Sequence, residues 1–194
     1  GVISSIGNEI AEERSDINAE LQQQEKGTVT ISEEIANDAV DRLRPSPYSP
    51  SEEELEEQKQ EVKDTIQDIE EDESLRDDEK KERIENIRRR FEQDKIIVRE
   101  IEPLPSGHFY EMTHKGNQLD VTINQGHEFY RKVYSRAQDD PELQVYLDLI
   151  IFTLAQAEDQ YISRDEVRKF YDQQRTEWSS IMRQFLLETE NRFD

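Results

Sequence analysis

Three histidines, His108, His114 and His127, fall within one short stretch of the chain. Neutral imidazole is the commonest metal ligand, so a metal centre is the first chemistry to test. The spacing argues against it. Glu111-Met112-Thr113-His114 has the Glu-x-x-His form of di-iron bundles, but that motif needs a helix to bring both groups onto one face. Here it falls in a segment that reads as a strand. His127-Glu128 opens like a zinc-protease motif, yet the second ligand position is held by Arg131. Ordinary turn and strand histidines are expected.

Nucleophilic chemistry fares no better. Ser179 and Ser180 stand near Glu177, but neither a nucleophile elbow nor a Ser/His pairing accompanies them. The acidic run Ala157–Ser163 lacks the alternating ligands and central glycine of a calcium loop, and reads as a helix cap. Glycine-rich phosphate loops of the Gly-Lys-Ser/Thr and dinucleotide types are missing from the sequence. No catalytic, cofactor-binding or metal residue is therefore assigned, and the chain is not expected to be an enzyme. Arg88, Arg89 and Arg90, with Arg83 and Lys95, could touch phosphate, but Glu-rich neighbours would neutralise them. Nucleic acid stays open as a partner.

Composition sets the frame for these residues. Of the 194 residues, 32% are hydrophobic and 37% charged, so much of the chain must lie on exposed helix surface. The formal net charge of −22 opposes general adhesion to nucleic acid or anionic lipid, so any such contact must be local. Cysteine is absent, which fits a non-secreted, cytoplasmic protein. The longest apolar stretch, near Leu147–Leu154, is far short of the roughly 20 residues of a membrane span. The chain opens at Gly1-Val2-Ile3 already in helical register, as expected of a piece of a larger protein.

Ile3, Ile6, Ile10, Ile17 and Leu21 recur at helical steps, with Arg14 at the skipped position, and predict a first helix. Gly27 ends it. Thr30 and Glu33 have the spacing of a capping box for a second helix, whose inner face is expected at Ile35, Ala39 and Leu43. Residues 45–50 contain three prolines and cannot continue a helix. Residues 1–50 are thus read as an N-terminal helical segment with a Pro-rich linker.

Ser51 and Glu54 form a second capping-box pair, after which Leu55, Val62, Ile66 and Ile69 keep a heptad-like seam. The pattern stops among acidic residues and resumes at Ile84, Ile87 and Phe91. Residues 51–95 are therefore predicted to form an acidic antiparallel helical hairpin, a coiled coil with Arg88–Arg90 opposite its acidic start. Its apolar seam is a candidate interaction surface.

From Ile96 the period changes to alternation. Ile96–Ile101, Phe109–His114 and Gln118–Asn124 predict three antiparallel strands, the last two joined at Lys115-Gly116-Asn117. His127–Tyr134 is helical, Asp140-Pro141 opens the next helix, and Ser163 with Glu166 caps a last one. The helix carrying Leu143–Leu154 is apolar on nearly all sides and is expected to be wrapped by other elements. Tyr134 and Trp178 are expected as exposed aromatics. Residues 96–194 form a compact α+β domain, and the fold class is α+β, mostly helical, the small sheet packed against C-terminal helices.

Gly107-His108-Phe109-Tyr110-Glu111-Met112, then Leu119–Asn124, His127-Glu128-Phe129-Tyr130 and a helix ending Ala155-Gln156-Ala157-Glu158, resemble a bacterial family. They are similar to the region following the ATP-binding domain in histidine-kinase-like (GHKL-type) ATPases, relatives of gyrase and mismatch-repair ATPases. The resemblance covers about the last half of the chain. It implies a module that dimerises or relays the state of ATP bound by an upstream domain, with phage defence or action on nucleic acid as possible settings. None of that family's ATP-site residues is matched here. Read from the residues alone, Asn124 ends its strand with an Asx turn and caps the next helix. The expected function is a non-catalytic dimerisation or transducer module, a homodimer or bound to a partner protein. The alternative is an acidic coiled-coil adaptor.

Overall fold

The computed structural model describes residues 28–40, 42–43, 46–92, 96–189 and 192. The helix expected over Ile3–Leu21 lies outside them, as do Pro45 and Lys95. Helix α1 (Ile31–Val40) begins at a reciprocal capping box: Glu33 N donates to Thr30 Oγ1 at 3.2 Å, and Thr30 N donates to the Glu33 carboxylate at 2.7 Å. Helix α2 (Glu52–Glu71) begins the same way at Ser51 and Glu54. A turn over 72–76 leads to α3 (Asp77–Glu92), and Lys80 Nζ donates back to the Glu70 carbonyl at 2.8 Å. Ile69 and Ile87 are buried. Leu55, Val62, Ile66, Ile84 and Phe91 are half-buried. Val62, Ile87 and Phe91 line one cleft with Val98 and Ile101, so this apolar side looks onto the sheet. Arg90 does not pair with the start of α2. It reaches Glu33 of α1 at 3.1 Å and the Thr28 carbonyl at 2.8 Å.

Three strands come next: β1 (Ile96–Glu102), β2 (Tyr110–Lys115) and β3 (Gln118–Asn124). The sheet is mixed, not antiparallel. Its order is β1-β3-β2, with β3 parallel to β1 and antiparallel to β2. The cause is the connection over 103–109. It turns at Leu104–Gly107, where Gly107 N donates to the Leu104 carbonyl at 3.2 Å with Pro105 at the second position, and it carries the chain across the end of the sheet, so that β3 returns into the vacant slot. Asn124 pins that crossing. Its Oδ1 accepts Leu104 N at 2.9 Å and Gly126 N at 2.8 Å, and its Nδ2 donates to the His108 carbonyl at 2.6 Å. The expected Asx turn is therefore present.

After β3 a π-helical turn (Tyr130–Tyr134) and a 3-10 turn (Ser135–Asp139) lead to α4 (Pro141–Asp159). Asp140 caps α4 by accepting Leu143 N at 3.1 Å, with Pro141 in the first turn. The last helix is α5 (Asp165–Glu188); it starts after Arg164 and lacks the expected Ser163 cap. The core joins Val121 and Ile123 of β3, Tyr110, Tyr134, Ala36 of α1, and Ile151, Phe152 and Ala155 of α4, with Trp178 and Met182 of α5 packed against it. The described residues are mostly helical around one small mixed sheet.

Two helices present faces other than those expected. Ser32, Glu33 and Ala36 of α1 are buried, whereas Ile31, Ile35 and Leu43 stand exposed. Helix α4 is not wrapped: Ile151, Phe152 and Ala155 are inside, but Leu143, Tyr146 and Ile150 are bare.

Candidate interaction site

The inversion of α1 has a physical reason in the edge of β1. An edge strand carries unpaired backbone donors and acceptors, which are costly to bury unmade. Asn37 acts as a substitute strand: its Oδ1 accepts Ile97 N at 2.8 Å and its Nδ2 donates to the Ile97 carbonyl at 3.2 Å. Glu33 Oε1 accepts Arg99 N at 2.8 Å. Deeper in, Asp148 Oδ2 accepts from Ser32 Oγ at 2.6 Å and from Arg99 Nη1 at 3.0 Å, while its Oδ1 accepts from the Tyr134 hydroxyl at 2.5 Å. Burial holds that hydroxyl well above the usual tyrosine range. Tyr134 is thus a core residue tied to Asp148, not the exposed aromatic the sequence suggested.

The opposite face of the sheet meets the α2–α3 unit across a cleft of about 850 Å³. Glu57, Glu61, Asp64 and Asp68 of α2 line it together with Glu100 and Glu102 of β1. Lys115 Nζ bridges two of the local carboxylates, Asp120 at 3.0 Å and Glu61 at 3.4 Å. Burial, and next the Asp120 carboxylate, push the Glu100 carboxyl up to about 7. Glu100 therefore titrates near neutrality.

The helices are fastened to the sheet at two further points. The Tyr48 ring stacks on His114, with centroids 3.7 Å apart and planes 19° apart, and His114 Nε2 lies 2.9 Å from Asp159 Oδ1. At the other end, Phe109 N donates to Ser179 Oγ at 2.9 Å. His127 Nδ1 accepts Phe129 N at 3.0 Å, which leaves Nε2 to carry the proton and donate to the Ser179 carbonyl at 2.9 Å. Burial lowers the His127 pKa, so this histidine is neutral. Sequence reasoning weighed all three histidines as ligands. Among the described residues no three His, Asp or Glu side chains converge on a metal-sized point, and no helix is long and apolar enough to cross a membrane.

Exposed apolar surface lies elsewhere than the residues first singled out. Trp178 is half-buried against the core. On α5 the bare large apolar residues are Leu187 and, along another side, Phe170, Ile181 and Phe185, the last three exposed by 56%, 47% and 70%. They are separated by three helical turns and one, and so share a side. Ile35, Ala39 and Leu43 of the α1 region and Leu149, Thr153 and Ala157 of α4 line an apolar groove of about 530 Å³. Ile35 and Leu43 of α1 were expected on the inner face of their helix, and the apolar residues of α4 were expected to be wrapped; the side that each helix leaves bare was not legible.

No protein-family model matches this chain, and no curated protein or solved structure shows significant similarity to it.

Proposed function

We propose that the chain is a non-catalytic interaction module that self-associates through the outer side of α5, as part of a larger protein whose upstream domain binds ATP. The observation that carries the docking surface is the exposure of Phe170, Ile181 and Phe185 on one side of a helix in a chain of net charge −22. Large bare aromatics at such density are what interfaces use as anchors. The transducer part of the reading rests on the resemblance of residues 103–159 to histidine-kinase-like ATPases. It gains support from the inner side of α5, where Ser179 holds Phe109 and His127, and Arg183 Nε donates to Glu128 at 2.7 Å. A displacement of α5 would move the loops at the end of β3. The α2–α3 unit reads as an antiparallel coiled-coil arm, and its exposed carboxylates favour the second reading, an acidic adaptor for a basic partner.

Solution mass by chromatography with light scattering tests the assignment. The expected result is a dimer that Phe185→Glu weakens at least about tenfold, or ~1.4 kcal/mol. A dimer indifferent to Phe185→Glu, or a monomer at every concentration, overturns self-association through α5.

A further inference from the structure

The outer side of α5 carries a repeat as well as three bare apolar residues. Glu166, Glu177 and Glu188 recur at steps of eleven, and Phe170 with Ile181, Gln173 with Gln184 and Gln174 with Phe185 are also eleven apart. Eleven residues make about three full turns of an α-helix, so each set runs nearly straight along the axis. Gln174 is half-buried and the others are exposed. The helix therefore presents straight rows of glutamate, glutamine and apolar side chains, a surface that a second straight helix matches along its length.

We infer that this second helix is α5 of another copy of the chain, running antiparallel, with Phe170 of each copy opposite Ile181 of the other. The pairing rests on the self-association proposed above. Charge selects the direction. In a parallel two-fold pair each residue meets its own counterpart, so Glu166, Glu177 and Glu188 would all face like charges in a chain already at −22. With Phe170 opposite Ile181 in the antiparallel pair, Glu166 falls beside Gln184 of the other copy, Glu177 beside Gln173 and Gln174, and Glu188 beside Arg164, which is exposed just ahead of the helix. Each carboxylate then meets a donor. Gln173 already donates to Glu177 of its own helix at 3.0 Å, which leaves its second amide hydrogen for the other copy. Phe185 comes level with the half-buried Val167. Antiparallel macrodipoles also attract, where parallel ones repel. Sliding the pair to set Phe170 against Phe185 would bring Glu177 back onto its counterpart at the two-fold axis, so charge selects the register too.

The chain has no cysteine, so introduced ones report this contact without background. Glu166→Cys and Gln184→Cys leave Phe170, Ile181 and Phe185 in place. In the antiparallel pair these two positions meet, whereas each lies about 18 residues, or ~27 Å along the axis, from its own counterpart, far beyond the ~7 Å between Cα atoms that a disulfide spans. Under mild oxidation an equal mixture of the two variants should form at least about tenfold more disulfide-linked dimer than either variant alone. Each variant cross-linking to itself would show parallel helices. No cross-link in a dimer that Phe185→Glu dissolves would show another register. Either result overturns this pairing and leaves self-association through α5 standing. A protein that is monomeric at every concentration, or whose dimer ignores Phe185→Glu, overturns both.

Discussion

The two faces of the sheet handle buried acid in opposite ways. On the α1–α4 side, Asp148 is almost fully buried and accepts three hydrogen bonds from donors on other elements, and Glu33, where α1 borders the cleft, is likewise buried and accepts from Arg99 N and from Arg90 of α3. On the α2–α3 side, Glu100 and Asp120 stand near each other, with Lys115 as the nearby cation that offsets their charge. The difference shows in Glu100, whose carboxyl is pushed up to about 7. The same residue type is structural glue where donors converge on it and a source of strain where carboxylates do. One face is built for a single arrangement, and the other is tuned by protons.

Asp148→Ala is the harshest way to break this contrast. It would leave Arg99 buried without a carboxylate and strip Ser32 and Tyr134 of their acceptor. Breaking a buried pair from one side costs about 3–5 kcal/mol, a large part of the roughly 5–15 kcal/mol typical of a domain. Urea unfolding measures it. A loss below about 1 kcal/mol would show that the α1–α4 network does not hold the layer together.

Glu100→Gln should act in the other direction. A carboxyl whose folded pKa of about 7 lies above its unfolded value binds more protons in the folded state between those two values, so stability falls as pH rises through that window. The penalty is complete above pH 7 and gone below the unfolded pKa, near 4.5. At pH 8 the substitution should stabilise the protein by roughly 1–3 kcal/mol, and at pH 4 by nearly nothing. A gain that is the same at both pH values would mean that charge in the cleft is not what Glu100 contributes.

How much of this was legible in the sequence depends on the range of each interaction. The capping boxes at Thr30/Glu33 and Ser51/Glu54, Pro141 in the first turn of α4 and the Asx turn at Asn124 are set within a few residues and were readable, although the equally local cap expected at Ser163 does not form. The inner face of α1 was not. Hydrophobic periodicity pointed to Ile35, Ala39 and Leu43, but the buried side is chosen by Ser32, Glu33 and Asn37, whose partners at Asp148, Arg99 and Ile97 lie 60 to 116 residues away. The strand order failed for the same reason. Each strand was visible from its alternation, but which two would be neighbours depended on where the proline-containing connection carried the chain. Tyr134 was read as exposed because its hydroxyl's buried partners come from β1 and α4.

The smallest predicted effect tests how the acidic side is held to the sheet at all. Gly116, in the two-residue turn between β2 and β3, has φ +56°, a conformation that favours glycine. A Cβ there would also lie 2.1 Å from Gln58 Oε1, on α2, and that same oxygen accepts Asn117 N at 3.3 Å. Gly116→Ala should therefore cost roughly 1–2 kcal/mol, part from the backbone and part from unseating Gln58. A double-mutant cycle with Gln58→Ala separates the two parts, because in that background the contact term has gone and the backbone term alone remains. If the two substitutions prove additive, Gln58 moves aside without cost and the turn is not where α2 is fastened. If they couple by about 0.5 kcal/mol or more, the turn is a point where α2 is held to the sheet across the like-charged cleft, and half-buried Glu100 is kept beside those carboxylates because of it.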